Sequence, residues 1–136
     1  MALKLELKSG DKFIINGAVI ENAGPNTKLL VHNQSAILRQ KEIMSAEDST
    51  TPASRVYFAL QCAYIFPEKI DHYLTQFEKC ARDYLDASPS SAFIIDGIVD
   101  NVRHDRLYQG LKAAQDLLKH EEELMGMARD PNGDEG

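Results

Sequence analysis

The sequence has no tryptophan, only two cysteines and no apolar run long enough to cross a bilayer. Cys62 and Cys80 cannot form a disulfide framework, and both fall in helical stretches rich in apolar residues. They read as buried free thiols in a reducing compartment. The longest apolar run, Val56 to Phe66, is about half a bilayer span and is interrupted by Gln61. Behind Met1-Ala2-Leu3-Lys4 stands no apolar core of a signal peptide. These absences argue against a secreted scaffold and a membrane-spanning helix, and the expected location is the cytoplasm, with no membrane partner.

Catalytic patterns are missing too. His32, His72, His104 and His120 are scattered, and none pairs with another His, Cys or carboxylate at a metal-ligand spacing. His120-Glu121 opens like a zinc-protease helix, but Leu124 stands where the second histidine belongs. Gly10, Gly17 and Gly24 mark separate turns rather than a phosphate-cradling loop. There is no Walker sequence, dinucleotide fingerprint or nucleophile elbow. The apolar neighbours of Cys62 predict a raised pKa and an inert thiol. Neither an enzyme nor a cofactor or metal is expected.

What is present is one change of period, at Thr51-Pro52, with a change of charge beside it. Residues 1–56 carry seven Lys and Arg against six Asp and Glu; residues 57–136 carry eight against fifteen. The formal net charge of −6 therefore resides in the second part. A polyanion would be met by the N-terminal part and repelled by the rest.

Before the seam apolar residues alternate, as half-buried strands require. Strands are expected at 3–8, 12–15, 18–21, 28–32 and 36–40. Asn16-Gly17 signals a two-residue hairpin, with one longer strand bulged at Gly17 as the alternative. After the seam the spacing becomes three and four, as in Ile70, Tyr73, Leu74, Phe77, Ala81, Tyr84 and Leu85. Thr51 suits an N-cap with Pro52 at the first helical position. The helix through Tyr64 is apolar nearly all round, which predicts a central position between the sheet and the other helices. Ser88-Pro89 repeats the cap-then-proline device before a helix with Ile94, Ile95, Ile98, Val99 and Val102 inward. A last helix is expected from about Asp105 to Met127, with Leu107, Leu111, Ala114 and Leu118 on one face. The fold class is α+β: a small antiparallel β-meander or barrel, then a bundle of about four helices. The division is a β subdomain over 1–50, a helical subdomain over 51–128 and a polar, flexible tail over 129–136.

Two charged features are left over. Glu121-Glu122-Glu123 lies late in the last helix, against the helix dipole; it reads as a solvated face, with a docking surface for a basic partner as the minority reading. Lys4 and Lys8 share a parity opposite to Leu3, Leu5 and Leu7 and so face solvent. Lys12 follows one turn later, and Arg39 and Lys41 share a face at the end of the last strand. If the first and last strands are neighbours, Lys4, Lys8, Lys12, Arg39 and Lys41 form one candidate RNA-binding surface. Ordinary solubilising charge explains them about equally well on these grounds. Phe13 is the single aromatic before Tyr57, which argues against base stacking on an aromatic sheet.

Several segments carry a resemblance to a known family: Leu3-Lys4-Leu5-Glu6-Leu7-Lys8, Asn16-Gly17-Ala18-Val19-Ile20, Leu38-Arg39-Gln40-Lys41-Glu42-Ile43-Met44 and Thr51-Pro52-Ala53-Ser54-Arg55-Val56-Tyr57-Phe58. In this order and spacing the chain resembles the FlbT family of flagellar regulators over almost its full length. That resemblance implies a cytoplasmic post-transcriptional regulator of flagellum biogenesis. It would associate with the 5′ untranslated region of flagellin mRNA and repress its translation or hasten its decay. Some members of the family instead promote flagellin synthesis, which leaves positive regulation as an alternative. A second alternative is a protein that binds flagellin or another flagellar factor through its helical half, with an indirect effect on the mRNA. The first 44 residues also look like the carbon storage regulator CsrA in their order of strands and turns, with Lys4 to Asp11 and Arg39 to Ile43 at the RNA-facing places. Gln40 departs from that pattern, standing where an arginine belongs. The likeness suggests that the sheet could be completed by strand exchange in a homo-oligomer.

Overall fold

The first forty residues build five short strands: β1 (Leu3–Leu7), β2 (Lys12–Ile15), β3 (Ala18–Glu21), β4 (Thr27–Val31) and β5 (Ile37–Arg39). The buried face expected from alternation is absent in β3, exposed throughout, and in β4, where only Val31 is half-buried. The computed structural model describes residues 2–129. β1 pairs antiparallel with β4, in the register Leu3↔Val31 to Leu7↔Thr27. β2 is the centre of a second antiparallel sheet of order β3-β2-β5. The β2–β3 connection is the expected hairpin, with Ile15 opposite Ala18. Asn16 and Gly17 take φ of 51° and 87°, the positive values that a two-residue turn matched to strand twist requires.

The two faces of β2 bury different things. Phe13 packs with Leu5 and Leu7, bordered by Ile15, Val31 and Ile37. Ile14, one residue on and therefore on the opposite face, joins Leu38 in the core shared with the helices. The three-stranded sheet is thus a middle layer between the two-stranded sheet and the helices.

The helices are α1 (Pro52–Ile65), α2 (Ile70–Ala87), α3 (Ala92–Arg103) and α4 (Leu107–Arg129). Thr51 caps α1 as expected: its hydroxyl accepts from Ser54 N at 3.2 Å, and Ser54 Oγ accepts from Thr51 N at 2.8 Å. α1 is the central helix, burying Val56, Tyr57, Leu60, Gln61 and Ala63 among others. The second cap-then-proline device works differently. Pro67 and Pro89 each open a 3₁₀ turn that leads into the next helix, and the Ser88 side chain makes no cap bond. The inward stripes of α2 and α3 bury Phe77, Ala81, Tyr84, Ile95 and Ile98. On α4 the buried positions are Leu111, Ala114 and Leu117, and Leu118 is half-buried. Of the tail expected at 129–136, only Arg129, the last residue of α4, lies among the described residues.

Candidate nucleic-acid interface

β5 ends at Arg39, one residue earlier than its alternation predicts, and the reason is Glu42. Its carboxylate turns back to accept from Arg39 N at 2.9 Å, closing a 3₁₀ turn over Gln40–Glu42. Lys41 consequently sits on this turn rather than on a strand face shared with Arg39. The turn is held from three further sides. Lys12 N donates to Gln40 Oε1 at 2.9 Å, Tyr57 Oη donates to the Glu42 carbonyl at 2.6 Å, and Tyr108 Oη donates to Glu42 Oε2 at 2.5 Å. Just beyond it, Gln61 accepts from Met44 N and donates to Met44 O, both at 2.8 Å. Glu42 and Gln61 are buried, so each buried polar group here has its partner. Burial, with Glu42 as acceptor and neighbouring charge, pushes the Tyr108 phenol up to about 12.

Neither Glu42 nor Gln61 stood out in the sequence as a site residue. The one signal available was an acid three residues after the strand end, the spacing of a capping box without a Ser or Thr to open it. The likeness to the carbon storage regulator put Glu42 and Ile43 at an RNA-facing place; the side chain of Glu42 instead anchors the turn, and Ile43 packs against the helical core.

This latch fixes one wall of an open groove of about 480 Å³. Arg39, Gln40 and Lys41 form that wall, β1 contributes Leu5, Glu6 and Leu7, and the start of β2 contributes Asp11, Lys12 and Phe13. Arg39 lies opposite Phe13 in register, hence on the face of the middle sheet that looks toward β1. The expectation that first and last strands would be neighbours is not met by hydrogen bonding: β1 pairs with β4, and β5 with β2. The groove is nevertheless lined by Lys12, Arg39 and Lys41, all from the side of the β3-β2-β5 sheet and the turn that follows it.

The other two expected cations lie elsewhere. Lys8 borders a neighbouring depression of about 340 Å³ with Glu6, Asp11, Asn26 and Lys28, where its N–H donates to Asp11 Oδ2 at 2.9 Å. Lys28, which lies opposite Glu6 on β4, is a cation that the sequence reading passed over. Lys4 is exposed on β1 opposite Leu30 and lines neither depression. The exposed parity of Lys4, Glu6 and Lys8 is as expected. The groove balances three cations against two carboxylates, Glu6 and Asp11.

The thiols are the inert ones expected, while His120 and Glu121 are tied into the fold rather than simply solvated. Burial raises the pKa of both Cys62 and Cys80, with Asp83 adding to the effect at Cys80. His120 is held between Tyr84 Oη at 2.9 Å from Nδ1 and Ser90 Oγ at 3.2 Å from Nε2. Glu121 accepts from Ala53 N at 3.0 Å, so this acid serves the N-terminus of α1 rather than solvent alone. Among the described residues there is no group of three His, Cys, Asp or Glu that could hold a metal ion. No helix among them is long and apolar enough to cross a membrane.

Comparison with known proteins agrees with the resemblance. A family profile described as "Flagellar protein FlbT" matches residues 3–125. The chain is 39% identical over 127 residues to the "Probable flagellum biosynthesis repressor protein FlbT 1" of Bradyrhizobium diazoefficiens, covering 93% of this chain and 86% of that one. It is 30% identical over 128 residues to the "Flagellum biosynthesis repressor protein FlbT" of Caulobacter vibrioides, covering 93% and 91%. A Brucella anthropi relative bearing the "Probable flagellum biosynthesis repressor protein FlbT" name is 30% identical over 131 residues, covering 93% and 84%. No solved structure matches.

Proposed function

The chain belongs to the FlbT family of flagellar proteins, and from that membership we propose that it represses flagellum biosynthesis by binding the 5′ untranslated region of flagellin mRNA. It is a regulatory protein, not an enzyme. The observation that carries the RNA reading is the groove between the two sheets that Lys12, Arg39 and Lys41 line. Phosphate oxygens of an unpaired strand would meet these cations, while the acidic helical half keeps the backbone away from the rest of the molecule. Binding then blocks translation or exposes the message to decay, in the cytoplasm where the message is. Lys4 and Lys8 extend the cationic β surface as secondary contacts.

The test is a gel-shift titration of the full chain with a flagellin leader RNA across salt concentrations. Three phosphate contacts on a single strand give a slope of about −2 on logarithmic axes, and engagement of all five cations a slope of about −3.5. A flat salt response, or Arg39→Glu combined with Lys41→Glu leaving affinity untouched, removes the groove from the mechanism.

A second reading has its own observation. Between α2 and α3 runs a cleft of about 620 Å³ with Phe77, Ala81, Leu85, Ile95 and Val99 as its apolar part and Glu78, Arg82, Asp96, Asp100 and Arg103 around it. In this reading the cleft takes a helix of flagellin or another flagellar factor, and the effect on the message is indirect. Capture of flagellin by the full chain, lost in Leu85→Arg at the half-buried edge of the cleft, together with no RNA binding, would favour it.

A further inference from the structure

The groove holds a carboxylate that a simple phosphate site would exclude. Glu6 lies on the exposed side of β1, opposite Lys28 of β4. It lines the rim of the groove whose other wall carries Arg39 and Lys41, so phosphate oxygens there meet its repulsion. Asp11, the other acid, is committed to its own turn, where Oδ2 accepts from Lys8 N. Among the described residues Glu6 has no ion pair and no side-chain hydrogen bond, and it is exposed. We propose, on the premise that the groove binds RNA, that Glu6 is a base-reading residue which selects an unpaired guanine.

The chemistry of the four bases decides among them. A carboxylate offers two parallel acceptors and no donor. Guanine alone presents two adjacent donors, N1–H and the 2-amino group, on its Watson–Crick edge. Adenine and cytosine each offer one amino donor beside a ring nitrogen acceptor, and uracil one N–H flanked by two carbonyls. Only guanine satisfies both oxygens of Glu6 without bringing an acceptor against them. The opposite wall suits the same base: Arg39 can donate to guanine O6 and N7 or lie flat against the ring. Phe13 cannot supply the stacking, because it is 1% exposed at the groove floor. Lys12 and Lys41 are left for the flanking phosphates. Mixed charge, which weakens the groove as a general polyanion site, thereby becomes the source of its base preference.

The experiment uses the full chain and short unstructured oligoribonucleotides built from A, C and U, with and without a single central guanosine, and a third with inosine at that position. The guanosine strand is expected to bind about tenfold more tightly than the guanosine-free strand, the discrimination typical of one bidentate base contact. Inosine, which lacks the 2-amino donor, should lose most of that advantage. Glu6→Gln, which folds because Glu6 is exposed, should bring the three strands together while retaining the salt dependence. Equal affinity for all three strands in the unmodified chain overturns the guanine assignment and leaves the RNA reading standing. Absence of binding to every strand and to the leader RNA overturns both.

Discussion

Single residues decide how the 39–44 segment is presented, and Glu42 is the chief of them. Its carboxylate joins the end of β5 to Tyr108 on α4, and its carbonyl joins the same turn to Tyr57 on α1. Removing the side chain would leave a phenol and a backbone N–H short of a partner, at about 1–3 kcal/mol for each buried group left unmade. The phenols give this network a pH signature. Tyr108 is pushed up to about 12 by burial and by Glu42, and Tyr84 to about 12 by burial and the charge of Glu121, from an ordinary value of 10.0. A raised pKa means that the folded state holds the proton more tightly than the unfolded chain does. The stability this contributes is whole below pH 10.0 and is lost as pH rises toward about 12. Tyrosinate absorbance is expected to show a late component reaching about pH 12, which Tyr108→Phe reduces. One transition near pH 10.0 in both proteins would count against the network.

Among the elements, the β2–β3 hairpin is the most constrained. Gly17 has φ of 87°, and a Cβ there would lie 3.2 Å from Phe66 Cε1 and 3.3 Å from the Ile65 carbonyl oxygen at the end of α1. Gly10 has φ of 85° with nothing within 4 Å of such a Cβ. Gly10→Ala therefore isolates the backbone strain, about 1–3 kcal/mol, whereas Gly17→Ala adds a clash with the helical layer. Chemical denaturation is expected to rank Gly17→Ala as clearly the more destabilised; equal losses would mean that the hairpin does not press on α1. These elements also show what could be read in advance. Alternation, Asn16-Gly17 and Thr51-Pro52 are local signals, and the strands, the turn and the cap followed them. The end of β5 did not, because Glu42, Tyr57, Tyr108 and Gln61 act across 15 to 66 positions of sequence. For the same reason the candidate surface was legible only as a list of cations. Period-two patterning gave their exposure, while the pairing of β1 with β4, which decides which cations line the groove, has no local signature. The expected stripe of α4 holds, with Leu111 and Ala114 buried and Leu107 and Leu118 packed against the core, but it omits Leu117, which the packing against α1 and α3 buries completely.

At the scale of the molecule the question is whether the cationic β part and the acidic helical part can be separated. The charge changes near Thr51, which invites cutting there to ask which part binds RNA and which binds protein. The core argues against such a cut. Ile14 and Leu38, 5% and 0% exposed, belong to the same buried cluster as Val56, Leu60, Phe77, Ile98 and Leu111. A fragment of residues 52–136 would expose the apolar surface of α1 that these strands cover, and would leave Tyr57, Tyr64, Gln61 and Tyr108 without the partners they find at Glu42, Ile37 and Met44. A fragment of residues 1–50 would keep the small cluster of Leu5, Leu7 and Phe13, too little apolar surface for a stable domain of that length. The expected outcome is that neither piece melts cooperatively, and that the helical piece binds a dye for exposed apolar surface, whereas the full chain melts in one transition. A sharp thermal transition in residues 52–136 alone would show the helices to be an independent domain, and the latch at Glu42 would then be a contact between two bodies rather than part of one core. If the pieces fail as expected, the two halves can be told apart only by charge substitutions in the intact chain, since any effect of truncation on RNA binding would report the loss of the groove wall that α1 and α4 hold in place.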